Sequence, residues 1–128
     1  MTASTGTGGR LNEILGWLRR LQAAQPDIEA AAVVSLDGLI IASDLPDEAE
    51  EDRVAAMSAA LLSLSERISA ELGRGLLEQV FVRGQQGDIL LMAVGQDAVL
   101  TAMTRKGATI GSVIYYMKRT TQHLSNLL

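Results

Sequence analysis

Two hydrophobic periods alternate along this chain of 128 residues, and their order leaves few folds open. Leu11, Ile14, Leu15, Leu18 and Leu21 recur at three- and four-residue steps, which predicts a helix over residues 10–24, ended by Pro26. Residues 31–36 and 39–43 are short β-prone runs on either side of Asp37-Gly38. That pair predicts a hairpin with a type I′ turn, in which both central residues take positive φ. Past Leu45-Pro46, the carboxylates Asp47, Glu48, Glu50, Glu51 and Asp52 suit the positive end of a helix dipole. The helix they open runs to about Leu72, with Val54, Met57, Leu61, Leu64, Ile68 and Leu72 as the stripe expected to cover the sheet. Gly73 and Gly75 stop it. Residues 76–83, 88–94 and 98–104 then read as strands of an antiparallel meander, parted by two short Gly-containing turns. Gly107 breaks the pattern, and a last helix over about 108–127 turns Ile110, Val113, Ile114, Met117, Leu124 and Leu127 inward. The order αββαβββα predicts an α/β (α+β) domain, a five-stranded antiparallel sheet sandwiched by helices. Residues 1–9, small and polar, are expected to form a flexible tail outside a single domain spanning 10–128.

The second helix departs from an ordinary surface helix. From Val54 to Ser65 it carries no charge, so no solvated side is evident there. Opposite the Val54–Leu64 stripe lie Ala55, Ser58, Ala59 and Leu62, small residues that allow close helix approach. They predict a second buried face against the same helix of a second copy, set against a plain alanine-rich surface chosen for helix propensity. The run that follows supports a two-fold interface. Leu76, Leu77, Val80, Phe81 and Val82 would form an apolar edge strand with only Glu78 and Arg83 as charges, a liability unless paired with its twin. Ala55, Ser58, Ala59, Leu62, Leu76, Glu78, Val80 and Val82 are therefore the expected dimer contacts.

Chemistry is hard to find. Gly6-Thr7-Gly8-Gly9 lacks the Gly-Lys-Ser/Thr continuation and the preceding strand of a phosphate loop. The single histidine, His123, has no nucleophile elbow or triad spacing around it, and a position near a helix C-terminus accounts for it. The acidic cluster lacks the alternating ligands and central glycine of a calcium loop. No catalytic, cofactor-binding or metal-ligating residue is expected, and none of these patterns points to an enzyme. A net charge of −4 argues against nucleic acid, and 3% aromatic residues leave little to wall a cofactor pocket. There is no cysteine, no basic-then-apolar leader and no apolar run of membrane-spanning length, so a soluble cytoplasmic protein is expected.

The element order, the hairpin Val33-Val34-Ser35-Leu36-Asp37-Gly38-Leu39-Ile40-Ile41-Ala42-Ser43 and Thr109-Ile110-Gly111 in the last helix resemble the Roadblock/dynein light chain family. The resemblance spans about residues 10–127. It implies a Roadblock/profilin-like fold, with the second helix on one sheet face and the first and last on the other. It also implies dimers whose edge strands join one continuous sheet, with the second helices side by side. Prokaryotic members resemble a gliding-motility regulator of a Ras-like GTPase, and the family brings no catalytic residues or cofactor. The implied function is a non-catalytic homodimeric regulator or docking platform for a Ras-like small GTPase, with Arg53, Glu66 and Arg67 on the second helix as candidate contacts. A structural adaptor in a motor or signalling complex, without effect on nucleotide turnover, is the alternative, and a small-molecule sensor a third. Arg19, Arg20, Lys118 and Arg119 on the opposite face form a competing site for an acidic partner.

Overall fold

A computed structural model of the chain describes residues 2–46 and 51–128, with side chains in the first stretch from residue 8 onward. The elements follow the expected order: α1 (Thr2–Ala24), β1 (Ile28–Ser35), β2 (Ile40–Asp44), α2 (Glu51–Glu71), β3 (Val80–Gly84), β4 (Gly87–Val94), β5 (Ala98–Arg105) and α3 (Ile110–Ser125). The strands form one antiparallel sheet in the order β2-β1-β5-β4-β3.

Alternation along the three central strands divides the core in two. Ala31 and Val33 of β1, Leu90 and Met92 of β4, and Leu100 and Ala102 of β5 point to one face. Ile14, Leu18 and Leu21 of α1 and Val113, Met117 and Leu124 of α3 fill it. The intervening residues, Ala32 and Val34, Leu91 and Val99, point to the other face, where α2 lies. Both faces of β1, β5 and most of β4 are thus covered, which explains why these strands read as nearly continuous apolar runs.

One turn departs from expectation in an instructive way. The Asp37-Gly38 hairpin is not type I′, since no residue other than glycine has positive φ. Its loop is Leu36-Asp37-Gly38. Gly38 N–H donates to Ser35 O at 3.0 Å and Ser35 N–H to Leu39 O at 2.8 Å, so Gly38 alone takes the left-handed conformation (φ 86°). The extra loop residue follows from a bulge, in which Val33 faces Ala42 but Val34 faces Ile40. At the β3–β4 hairpin, which forms as expected, Gly87 has φ 147°, and a Cβ there would collide with the Thr104 carbonyl oxygen, so the close β4–β5 approach requires glycine.

Helix α1 begins at Thr2, not near residue 10, so residues 2–9 have helical backbone where the sequence suggested a tail. Extending a helix that packing has already nucleated from Ile14 onward needs only one hydrogen bond per added residue. Gly8 and Gly9 have nothing within 4 Å of where a Cβ would stand, so backbone bonding holds this turn. Of the acidic stretch before α2, Asp47 to Glu50 lie outside the described residues, and Glu51 and Asp52 occupy the first turn.

Candidate functional site

Helix α2 is three-sided. Ala55, Ser58, Ala59 and Leu62, at three- and four-residue spacing, are buried against the sheet. Thr101 Oγ1 on β5 donates to Ser58 Oγ at 2.9 Å and satisfies both buried hydroxyls. A second side carries Val54, Met57, Leu61, Leu64, Ile68 and Leu72, of which Met57 (59%), Leu64 (53%), Ile68 (50%) and Leu72 (69%) are largely exposed. The third side carries Arg53, Ala56, Ala60, Ser63 and Arg67, all exposed.

This arrangement corrects the expected interface. The four residues read as contacts with a second copy lie against the chain's own sheet. Of the stripe expected to cover it, Val54 and Leu61 pack only partly against the core, while Met57, Leu64, Ile68 and Leu72 stay outside. The reason is steric. Val34, Leu91 and Val99 already supply bulk to this sheet face, so the helix seats with its narrow side down. Both stripes share the same period, and periodicity does not say which of two apolar stripes faces inward.

The strand half of the expectation fares differently. β3 is the sheet's last strand and pairs only with β4, from Val80↔Leu91 to Gly84↔Gly87. It is shorter than the run 76–83, however. Gly73 and Gly75 hold positive φ, Ser69 Oγ donates to Gly75 O at 2.8 Å, and pairing starts only at Val80. Leu76 is 95% exposed, Glu78 is exposed and Val80 half-buried, while Val82 and Phe81 stay substantially open.

The outer apolar side of α2 and the β3 end of the sheet enclose two depressions. One, of about 250 Å³, lies among Val54, Met57 and Leu61 of α2 and Val82, Ile89 and Met103 of the sheet. The other, of about 570 Å³, lies among Ile68, Leu72, Leu77, Val80 and Phe81. Exposed apolar side chains are thus clustered on this side of the domain and not scattered singly. Charges flank it. Arg67 Nε lies 3.6 Å from Glu71 Oε2, an exposed pair of small energetic weight, and Glu66 and Arg53 are exposed.

A further depression, of about 670 Å³, lies at the β3–β4 turn among Arg83, Gln85, Gln86, Asp88 and Lys106, where Arg83 Nε approaches Asp88 Oδ1 at 3.6 Å. On the opposite face His123 stacks on Trp17, with ring centroids 3.9 Å apart. The sequence reading placed His123 at a helix end and missed this partner. The signal available was weak: α1 and α3 both had to cover one sheet face, which brings their outer residues together. Arg19, Arg20, Lys118 and Arg119 are exposed on that face, as expected. Among the described residues, no cluster of three or more His, Cys, Asp or Glu is arranged to hold a metal ion. No described helix is long and apolar enough to cross a membrane.

Known proteins share this architecture. The gliding protein MglB of Thermus thermophilus superposes with a TM-score of 0.82 at 16% identity, covering 92% of this chain and 90% of that one. A Roadblock/LC7 domain of Streptomyces avermitilis gives 0.79 at 22% identity, with 84% and 91% covered. In sequence, an uncharacterized protein of Methanocaldococcus jannaschii is 35% identical over 97 residues, 76% of this chain and 84% of that protein. The model of the Roadblock/LC7 domain matches residues 16–104, from within α1 through β5, and the chain belongs to that family.

Proposed function

We propose that this protein works as a cytoplasmic homodimer that docks a Ras-like small GTPase and regulates it without chemistry of its own. The observation that carries the reading is the exposed apolar side of α2 beside the open apolar edge of β3. A second copy related by a two-fold axis covers both at once. The β3 edges pair through their free backbone groups, and Met57, Leu61 and Leu64 meet their counterparts across the axis. The third side of α2 then remains outward in both copies: a smooth strip of Ala56, Ala60 and Ser63 between Arg53 and Arg67, with Glu66 alongside. Two such strips side by side make a shallow platform with polar ends, the anatomy of a protein-docking surface. The GTPase as occupant comes from the resemblance to the gliding-motility regulator.

Light scattering tests the dimer. The expected mass is twice 13.6 kDa, and Met57→Glu with Leu64→Glu should halve it while leaving far-UV circular dichroism unchanged. A wild-type monomer at micromolar concentration would overturn the reading. The isolated protein should show no micromolar GTP or ATP affinity by calorimetry. With a GTP-loaded Ras-like partner, Arg53→Glu with Arg67→Glu should weaken binding at low salt, while Arg19→Glu with Arg20→Glu should not. Binding that leaves GTP hydrolysis and exchange unchanged would favour the adaptor reading.

A further inference from the structure

The outer face of α1 and α3 gathers residue types that are scarce, or outnumbered by carboxylates, elsewhere in the molecule. Trp17 and both tyrosines are there, leaving Phe81 as the only aromatic residue outside these helices. The charge is as uneven. The two helices carry five cations (Arg10, Arg19, Arg20, Lys118, Arg119) against one carboxylate, Glu13. The rest of the chain carries six cations against fourteen carboxylates, so the whole molecule has a net charge of −4. Among the described residues, none of Arg19, Arg20, Lys118 and Arg119 has an ion-pair partner.

These groups surround a built cleft. Trp17, Arg20, Tyr116, Arg119, Thr120 and His123 line a depression of about 170 Å³ between the helices. Its walls are ordered by stacking: the Arg20 guanidinium carbon lies 4.4 Å from the Trp17 ring centroid, and that of Arg119 lies 5.8 Å from the Tyr115 centroid. A guanidinium stacked on a ring has already given up rotamer freedom, so it loses less when it forks a carboxylate. Trp, Tyr and Arg are also the side chains that most often dominate binding at protein interfaces.

We propose that the cleft between α1 and α3 docks an acidic segment of a partner protein. One carboxylate side chain sits between Arg20 and Arg119, and neighbouring acidic residues pass over Arg19 and Lys118. The volume accommodates one side chain and not a run of stacked bases. The cationic area ends at two helices on an otherwise acidic molecule, which suits a short peptide better than a polyanionic strand or a charged membrane. The cleft lies on the sheet face opposite α2, so a dimer formed through α2 and β3 leaves it open, and the two proposals stand independently.

The single tryptophan makes the test direct. A short peptide of alternating Glu and Ala, titrated into the full-length protein, should change Trp17 emission saturably, and rising salt should weaken the response. Anisotropy of the labelled peptide should fall in affinity by at least about tenfold for Arg20→Glu with Arg119→Glu. Arg20→Lys with Arg119→Lys, which keeps charge but loses the planar fork, should bind more weakly than wild type, and Arg67→Glu on α2 should not differ. An absent response, an equal response to a Lys-Ala peptide, or unchanged affinity in both Arg20/Arg119 pairs overturns the proposal. Tighter binding of oligothymidylate or phosphatidylserine vesicles through the same two arginines overturns it in favour of a nucleic-acid or lipid surface.

Discussion

The layer formed by α1 and α3 and the layer formed by α2 cover the same sheet with opposite materials. The first puts Ile14, Leu18, Leu21, Val113, Met117 and Leu124 inward, all at most 2% exposed, and turns cations and aromatic rings outward. The second seats Ala55, Ser58, Ala59 and Leu62 inward and leaves Met57, Leu64, Ile68 and Leu72 outside. A layer that buries its large side chains is finished within the chain. One that buries mainly small ones, with Leu62 the exception, and exposes most of its large ones leaves apolar surface open. The first layer thus encloses most of the fold's large apolar side chains, and the second leaves most of its own open to solvent.

The strongest way to break this comparison is Ala59→Glu with Leu62→Glu. Had these residues met a second copy, the change would split a dimer. Buried against the sheet, the two charges should cost several kcal/mol and unfold a domain whose total stability is on the order of 5–15 kcal/mol, read by circular dichroism and urea melts. A folded monomer instead would mean that α2 does not seat as described. Next, Leu18→Ala should lower stability by about 2–5 kcal/mol, whereas Leu64→Ala should change that of the monomer by less than about 0.5 kcal/mol. Equal losses would erase the distinction between the layers. A finer measurement concerns the polar contact beneath α2. Thr101→Val should cost about 1 kcal/mol by leaving Ser58 without its donor, and adding Ser58→Ala should cost less than the sum of the single changes. Smallest of all, deleting residues 1–9 should shift stability by less than about 0.5 kcal/mol and leave the mass unchanged. A larger loss would show that the first turns of α1 pack.

What was legible in the sequence follows the same division. The element order and the inward face of α1 could be read because one apolar stripe stood against one polar side, so Ile14, Leu18 and Leu21 had a single place to go. Helix α2 offered two apolar stripes with the same period. The choice between them was made by Val34, Leu91 and Val99 on strands far away in sequence. The edge position of β3 was legible from its place at the start of a meander, but its starting residue was set by pairing with Leu91. The Asp37-Gly38 signal located the hairpin correctly, and the bulge at Val33/Val34 altered the turn type. The stack of His123 on Trp17 depends on how two helices lie beside each other, which no local pattern encodes.

The strand order has a further consequence for how this chain leaves the ribosome. Strand β1 lies inside the sheet, between β2 and the central β5, with Ser35 aligned to Ala98 and Ile28 to Thr104. Until residue 105 has emerged, the first hairpin has no partner on that side, and its Ala- and Val-rich strand stands as an open edge. The sheet's interior therefore closes late and across a long loop, after the N-terminal half has been made. Synthesis that stalls before β5 should yield an aggregation-prone fragment, not a half-folded domain.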